Sequence, residues 1–278
     1  MSHNRQKKIA VINDFTGFGR CSIAVSLPII SHLRIQCCPL PTAIFSNHTE
    51  YDSFYQEDFT YGMESYMGEW RKLGLTFSGI ATGYLNSAEQ IRIVKDFITE
   101  WKCADTQIVV DPVMGDNGDI YPVYEGELCR RMKELVALSD IVTPNVAEAC
   151  ILTDTPYREN FRKSELISMA EAISAMGPGK VVITGADRGS FIGNLCYEKD
   201  QEPVLLRTKR IGPRRAGTGD IFAAVIAADA VNGVDFRTSV RRASRFVKVC
   251  ILRSAELELP LLDGVCFEEV LHTLPYSR

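Results

Sequence analysis

The sequence predicts an α/β fold: a mainly parallel central sheet, flanked by helices on both faces, with an antiparallel edge. Three observations lead there. Short β-rich runs alternate with longer segments of 3.6-residue periodicity along most of the chain. Several of the short runs are apolar on both sides, as strands buried in a parallel sheet must be. After residue 189 the alternation gives way to two consecutive extended runs.

Taken in order, the parallel strand candidates are 8–13 (KIAVIN), 35–45, 77–85 (FSGIATGYL), 107–113 (QIVVDPV), 139–144 (SDIVTP) and 180–185 (KVVITG). The segments between them carry helical periodicity. In SAEQIRIVKDFITEW, Ser87 stands at the N-cap with Gln90 three residues on. This predicts a capping box that satisfies two otherwise unpaired amides. Ile91, Val94, Phe97 and Ile98 then mark the buried face. The runs 190–198 and 203–211 read as antiparallel strands finishing one edge of the sheet. The last helical stretch, 237–253, is apolar on one face and basic on the other, which reads as a solvated basic face.

With 278 residues, 46% hydrophobic and 24% charged, the chain has globular composition, and no repeat or linker-like tract divides it. One domain over residues 1–278 is expected. The net charge of −4 and the absence of any long Lys/Arg run argue against nucleic acid or a membrane surface and leave small molecules as the expected partners. The nine cysteines form no C-x-x-C pair and have no histidine at ligand spacing, so they are expected to be reduced packing residues. The first apolar run comes after eight residues and is soon broken by Asp14 and Gly17, a pattern of neither signal peptide nor membrane span. A cytoplasmic location is expected.

Four polar clusters interrupt this framework. Gly217-Thr218-Gly219-Asp220 opens the apolar run IFAAVIAADAV; a helix N-terminus exposes unpaired amides and partial positive charge, and glycines let an anion approach the backbone. Asp220 is there either a capping carboxylate or a proton acceptor beside a bound phosphate. DPVMGDNG places Asp111 and Asp116 at a strand end, where they either make an ordinary turn or hold Mg²⁺ and phosphate through water. DIVTPNVAEACIL puts Thr143, Asn145 and Glu148 at the next strand end, with Asn145 a candidate cap and Glu148 either closing that cap or facing the crevice. FSNHTEY breaks an apolar strand with Ser46, Asn47, His48 and Thr49, where the histidine reads as a satisfied structural residue, and TGY sets Tyr84 after a further strand, as core filler or as the wall of a ligand site.

Together the segments VIND…GFGRCSIAVSLP, FSNHTEY, TGYLNSAEQ, DPVMGD, DIVTPNVAEACIL, VVITGAD and AGTGDIFAA resemble, in family order and over almost the whole chain, the ribokinase-like superfamily and within it the pyridoxal kinases. The resemblance implies ATP- and Mg²⁺-dependent phosphorylation of the 5′-hydroxymethyl group of B6 vitamers by a homodimer, with a monovalent cation such as K⁺ as a further candidate. It makes Asp220 the general base and Gly217, Thr218 and Gly219 the anion hole. Asn13, Phe45, His48, Thr49 and Tyr84 fall on the substrate side, Asp116, Thr143, Asn145 and Thr184 on the nucleotide side, and Asp111 and Glu148 at the metal.

The sequence departs from that pattern where Asn13, followed by Asp14, replaces a serine that meets the ring in many relatives; Asn still donates and accepts. Arg210, Arg214 and Arg215 precede the anion hole where many relatives are more apolar. They read as a phosphate clamp or as a solvated loop, and are left outside the core site. Two other functions fit part of the pattern: a hydroxymethylpyrimidine kinase, whose glycine-rich N-terminal motif NDFTGFGRCS matches only partly, and a non-catalytic binding protein of the same fold.

Overall fold

The computed structural model describes residues 6–116, 118–120 and 126–276. The chain runs through β1 (Lys8–Thr16), α1 (Ser22–His32), β2 (Gln36–Phe45), β3 (Gln56–Asp58), α2 (Thr60–Leu73), β4 (Gly79–Thr82), α3 (Ala88–Trp101) and β5 (Gln107–Val110). A small ribbon, β6 (Gly115–Asp116) and β7 (Asp119–Ile120), precedes α4 (Glu127–Val136), β8 (Ile141–Val142), α5 (Val146–Leu152) and α6 (Lys163–Ser174). Then come β9 (Lys180–Arg188), β10 (Phe191–Glu198), β11 (Val204–Lys209), α7 (Thr218–Asn232) and α8 (Phe236–Glu256).

The main sheet has the order β11-β10-β9-β8-β5-β4-β1-β2-β3. Its centre, from β9 to β2, is parallel, and the predicted antiparallel edge is β10 and β11, entered through a turn at Gly189 with φ 62°. A second antiparallel edge, β3 against Ala43–Phe45 of β2, was not expected. Its residues Gln56, Glu57 and Asp58 are all exposed and give no alternation to read.

Both faces of the sheet are covered. Along β1, Ala10 and Ile12 enter one core layer with residues of α2 to α6, while Ile9 and Val11 enter the other with α1, α7 and α8. This two-sided burial is why the parallel strands read as continuous apolar runs. The helix α7 is buried nearly all round, through Ile221, Phe222, Ala224, Val225, Ile226, Ala227 and Ala228. Each large aliphatic side chain so buried contributes about 1.5–3 kcal/mol. All nine cysteines are free; five are buried as expected, but Cys103 is exposed.

At the start of α3, Ser87 Oγ accepts from the Gln90 amide as predicted. The box does not close. Gln90 Oε1 takes the Asn86 amide at 2.7 Å instead, because its amide nitrogen is drawn inward to Thr42 O and Thr60 Oγ1, both at 2.8 Å. No helix among the described residues is long and apolar enough to cross a membrane.

The chain leaves β1 outward to β2 and returns to β1's other side as β4. The carboxyl ends of β1 and β4 therefore open a crevice at the point where strand order reverses, the usual ligand position in such sheets.

Candidate active site

The start of α7 faces this crevice. Gly217 is its N-cap, in the left-handed region at φ 80°, and a Cβ there would lie 1.9 Å from the Arg20 carbonyl. Only glycine satisfies both demands. Gly219 has open space where a side chain would stand, and no side chain caps the helix. The first-turn amides thus have a clear approach, the geometry that anions favour. Asp220 is the third helical residue and not the cap. Its Oδ1 accepts from Asn13 Nδ2 at 3.4 Å, and its carboxylate lines a cavity of about 20 Å³ with Asn13, Thr82 and Asp111. Burial holds Asp220 above the ordinary aspartate range against the opposing hydrogen bonds from Ser22 and Asn13.

Asn13, at the end of β1, is fixed from two sides: its Oδ1 accepts the Asp14 amide at 2.9 Å and the Tyr84 amide at 2.7 Å. Gly83 makes room for it, since a Cβ at 83 would fall 2.5 Å from the Asn13 side chain. Asp14 points away from solvent and accepts from Thr16 Oγ1 at 2.6 Å; burial, aided by the charge of Asp220, pushes its pKa up to about 6. Between β1 and α1, Arg20 and Ser22 adopt φ of 51° and 59°, left-handed conformations that cost a non-glycine residue of order 1 kcal/mol each. The tight turn sets Arg20 O against Gly217 and brings Ser22 to Asp220.

On the expected substrate side, Phe45 and Tyr84 pack edge to face at 6.0 Å, and the Tyr84 hydroxyl donates to Asn86 Oδ1 at 2.8 Å. His48 behaves differently. It is buried against Gly19, its Nε2 is 2.6 Å from Leu262 O, and its Nδ1 accepts the Glu50 amide at 3.3 Å. Both ring nitrogens are engaged, Nε2 in holding the 46–55 loop to the C-terminal segment and Nδ1 in bracing the loop's own turn. Thr49 lies exposed in the turn that follows.

The expected nucleotide side gathers at the ends of β5, β8 and β9. Asp111 Oδ1 accepts from Thr143 Oγ1 at 2.9 Å. Burial first, then the charge of Asp220, raises its pKa, and the Thr143 hydroxyl opposes the rise. Asn145 caps α5 by accepting the Glu148 amide at 2.9 Å, and its Nδ2 donates to Gly115 O at 2.8 Å, anchoring the β6-β7 ribbon. Thr184 pairs alongside through its amide, which donates to Pro144 O at 2.8 Å. Glu148 closes the capping box: Oε2 accepts the Asn145 amide at 2.8 Å and Oε1 the Met114 amide at 3.3 Å. Its pKa stands well above the ordinary glutamate range, through burial and then the nearby Asp111.

The donor set suits a divalent cation only in part. Glu148 is 4% exposed with both oxygens taken by backbone amides, and among the described residues no three His, Cys, Asp or Glu side chains gather to hold a metal. A Mg²⁺ ion arriving with a nucleotide would keep water and phosphate oxygens as most of its ligands, as this ion commonly does, with Asp111 a carboxylate that shares the cavity lining with Asp220.

Sequence reasoning left out several residues that shape this site. Ser22 and Thr82 meet Asp220 and its cavity, and Arg214 forms an ion pair with Asp116 at 2.5 Å. The basic run before the glycines signalled Arg214 and DPVMGDNG signalled Asp116; nothing in the sequence marked their pairing across 98 residues. A larger groove of about 350 Å³, lined by Thr155, Arg158, Phe161 and Ser168 among others, lies by α6 and contains none of the clustered site residues.

The phosphomethylpyrimidine kinase family model matches residues 73–260. Among curated proteins, the pyridoxine/pyridoxal/pyridoxamine kinase of Bordetella avium is 29% identical over 259 residues, covering 88% of this chain and 86% of its own. Among solved structures, a Bacteroides thetaiotaomicron protein assigned to the phosphomethylpyrimidine kinases is 36% identical with a TM-score of 0.96, covering 100% of this chain and 98% of its own. A second crystal form of it, with pyridoxal, gives a TM-score of 0.93 at 36% identity over 97% of this chain and 96% of that one. The ADP complex of Leishmania donovani pyridoxal kinase, with a TM-score of 0.87 at 21% identity over 97% of this chain and 96% of its own, shares the fold. Fold and comparisons together define a kinase of the ribokinase-like class. The chain belongs to the phosphomethylpyrimidine kinase family.

Proposed function

We propose that this protein is an ATP-dependent kinase that phosphorylates the 5′-hydroxymethyl group of pyridoxal, pyridoxine and pyridoxamine. The observation that carries the reading is the start of α7. Asp220 stands there with a raised pKa beside unpaired helix amides and an open approach over Gly219. Pyridoxal in the Bacteroides thetaiotaomicron structure and the vitamer kinase from Bordetella avium support the choice of acceptor.

In this mechanism the acceptor hydroxyl gives its proton to an Asp220 oxygen as its own oxygen bonds to the γ-phosphorus. The bond from that phosphorus to the bridging oxygen breaks, and ADP departs. Because burial raises its pKa, this carboxylate is a stronger base than an ordinary aspartate. Asn13 holds that carboxylate in place while Tyr84 and Phe45 bound the ring. Charge spread over the transferring phosphoryl oxygens is met by the amides of residues 217–219. Mg²⁺, when bound with ATP, neutralises the phosphates. Asp111 and Thr143, with Thr184 and the ribbon anchored by Asn145, form the wall beneath them.

Purified protein given ATP and Mg²⁺ with each vitamer, and with hydroxymethylpyrimidine in parallel, tests the reading directly. Turnover of at least one vitamer in preference to hydroxymethylpyrimidine is expected. Turnover of the pyrimidine alone would reassign the acceptor, and turnover of neither would end the kinase reading.

A further inference from the structure

The three arginines before the glycine turn are separated by the structure into different roles. Arg215 turns away from the crevice and donates 2.8 Å hydrogen bonds to the carbonyls of Leu259 and Pro260, tying its loop to the C-terminal segment. Arg214 reaches across the crevice. Its Nη1 lies 2.5 Å from Asp116 Oδ2, and a Cβ on Gly185, next to Thr184 midway along β9, would stand 3.7 Å from its Nη2. A guanidinium three positions before Gly217 is therefore held by the β6-β7 ribbon and lies over the middle of β9.

This ion pair is poorly placed to serve stability. The two side chains are 46% and 39% exposed, and surface pairs of this kind contribute little in water. Charge makes it exchangeable: a polyphosphate offers a guanidinium several oxygens, more negative charge than one carboxylate, and the planar bidentate geometry that arginine prefers. The first-turn amides of residues 217–219, which no side chain caps, supply the other half of an anion site on the same side of the crevice.

We propose that Arg214 is a phosphate ligand for the nucleotide, held by Asp116 in the ligand-free enzyme, and that nucleotide binding moves its guanidinium from the Asp116 carboxylate to the phosphate oxygens. The inference rests on the ATP-dependent reading above and assigns to that site a residue and a competing partner. Asp116 thereby sets a threshold: only a ligand with enough negative charge takes the arginine from it.

Calorimetric titration of ATP and of adenosine, without vitamer, into wild type, R214A, R214K, R215A and D116N tests this. R214A is expected to weaken ATP binding by roughly 10–100-fold, the worth of a charged hydrogen-bonding pair, while adenosine binding stays within about twofold of wild type. R214K recovers part of the loss. R215A loosens the loop and leaves ATP affinity within about twofold. D116N removes the competitor and tightens ATP a few-fold, whereas a merely structural latch would make D116N and R214A weaken ATP alike. The proposal falls if R214A leaves ATP affinity unchanged, if ATP and adenosine weaken together, or if D116N weakens ATP as R214A does. It falls with the kinase reading if wild type binds no ATP. If wild type binds ATP in this pattern yet phosphorylates no vitamer, the Arg214 assignment stands and the acceptor assignment fails.

Discussion

The helices α5 and α7 both begin with a cap residue and an acid at the third helical position, and they use that spacing in opposite ways. In α5 the cap is Asn145, whose side chain takes the Glu148 amide while Glu148 returns to the Asn145 amide, so the first turn is closed upon itself. In α7 the cap is Gly217, which has no side chain to offer, and the acid turns outward to Asn13. One cap residue thus separates a helix start that stabilises the fold from one left open to a ligand. The site keeps a set of unpaired amides and a buried carboxylate, at a cost in stability that the neighbouring core must offset.

The comparison breaks most sharply at the acid of α7. Asp220→Asn is expected to lower kcat by roughly 10²–10⁴-fold with ATP and vitamer still bound; turnover within a few-fold of wild type would remove Asp220 from the chemistry. As the proposed base, the same group should set the acid limb of the pH profile. A general base works only when ionised, and burial raises its pKa, so kcat should fall with decreasing pH at a point above the ordinary aspartate value of 3.8. An acid limb at or below pH 4 would contradict that environment.

Next in size is Gly217→Ala. It places a methyl in the left-handed region and against the Arg20 carbonyl, so urea denaturation should show a loss of about 2–4 kcal/mol, with weakened ATP binding as the amides shift. Unchanged stability would mean the turn has another conformation available. Asn145→Ala should cost about 1–2 kcal/mol as a lost cap, measured by the same denaturation, with the ribbon at Gly115 released and the base untouched.

Glu148→Gln should have an effect of similar size, about 1–2 kcal/mol, since Gln still accepts at the Asn145 amide but sets an NH2 donor against the Met114 amide. It also separates two roles for this residue. A structural Glu148 leaves the Mg²⁺ concentration for half-maximal activity unchanged, and a metal-bound one raises it.

What the sequence disclosed follows the same division. Strands covered on both faces were legible because burial demands continuous apolar residues, as in Ile9 to Ile12, and the α5 cap and the glycine turn were legible because their chemistry is local. Features made by distant pairing were not. The strand β3 is three polar residues recruited by the unpaired edge of β2, Gln90 was drawn from its predicted box by Thr42 and Thr60, and His48 was fixed by the carbonyl of Leu262. The Arg214 to Asp116 contact depends on two loops meeting across the crevice, which no periodicity announces.

The all-round burial of α7 carries a consequence for how this protein fails. Catalytic groups on surface loops often drift before a domain melts, and activity fades ahead of structure. Here the proposed base rides on a helix wedged between the sheet and its companions, with even Asp229 ion-paired inside by Arg242 at 2.5 Å. In rising urea, residual activity and tertiary fluorescence should therefore decline along one curve, the enzyme holding its full competence until the whole scaffold gives way.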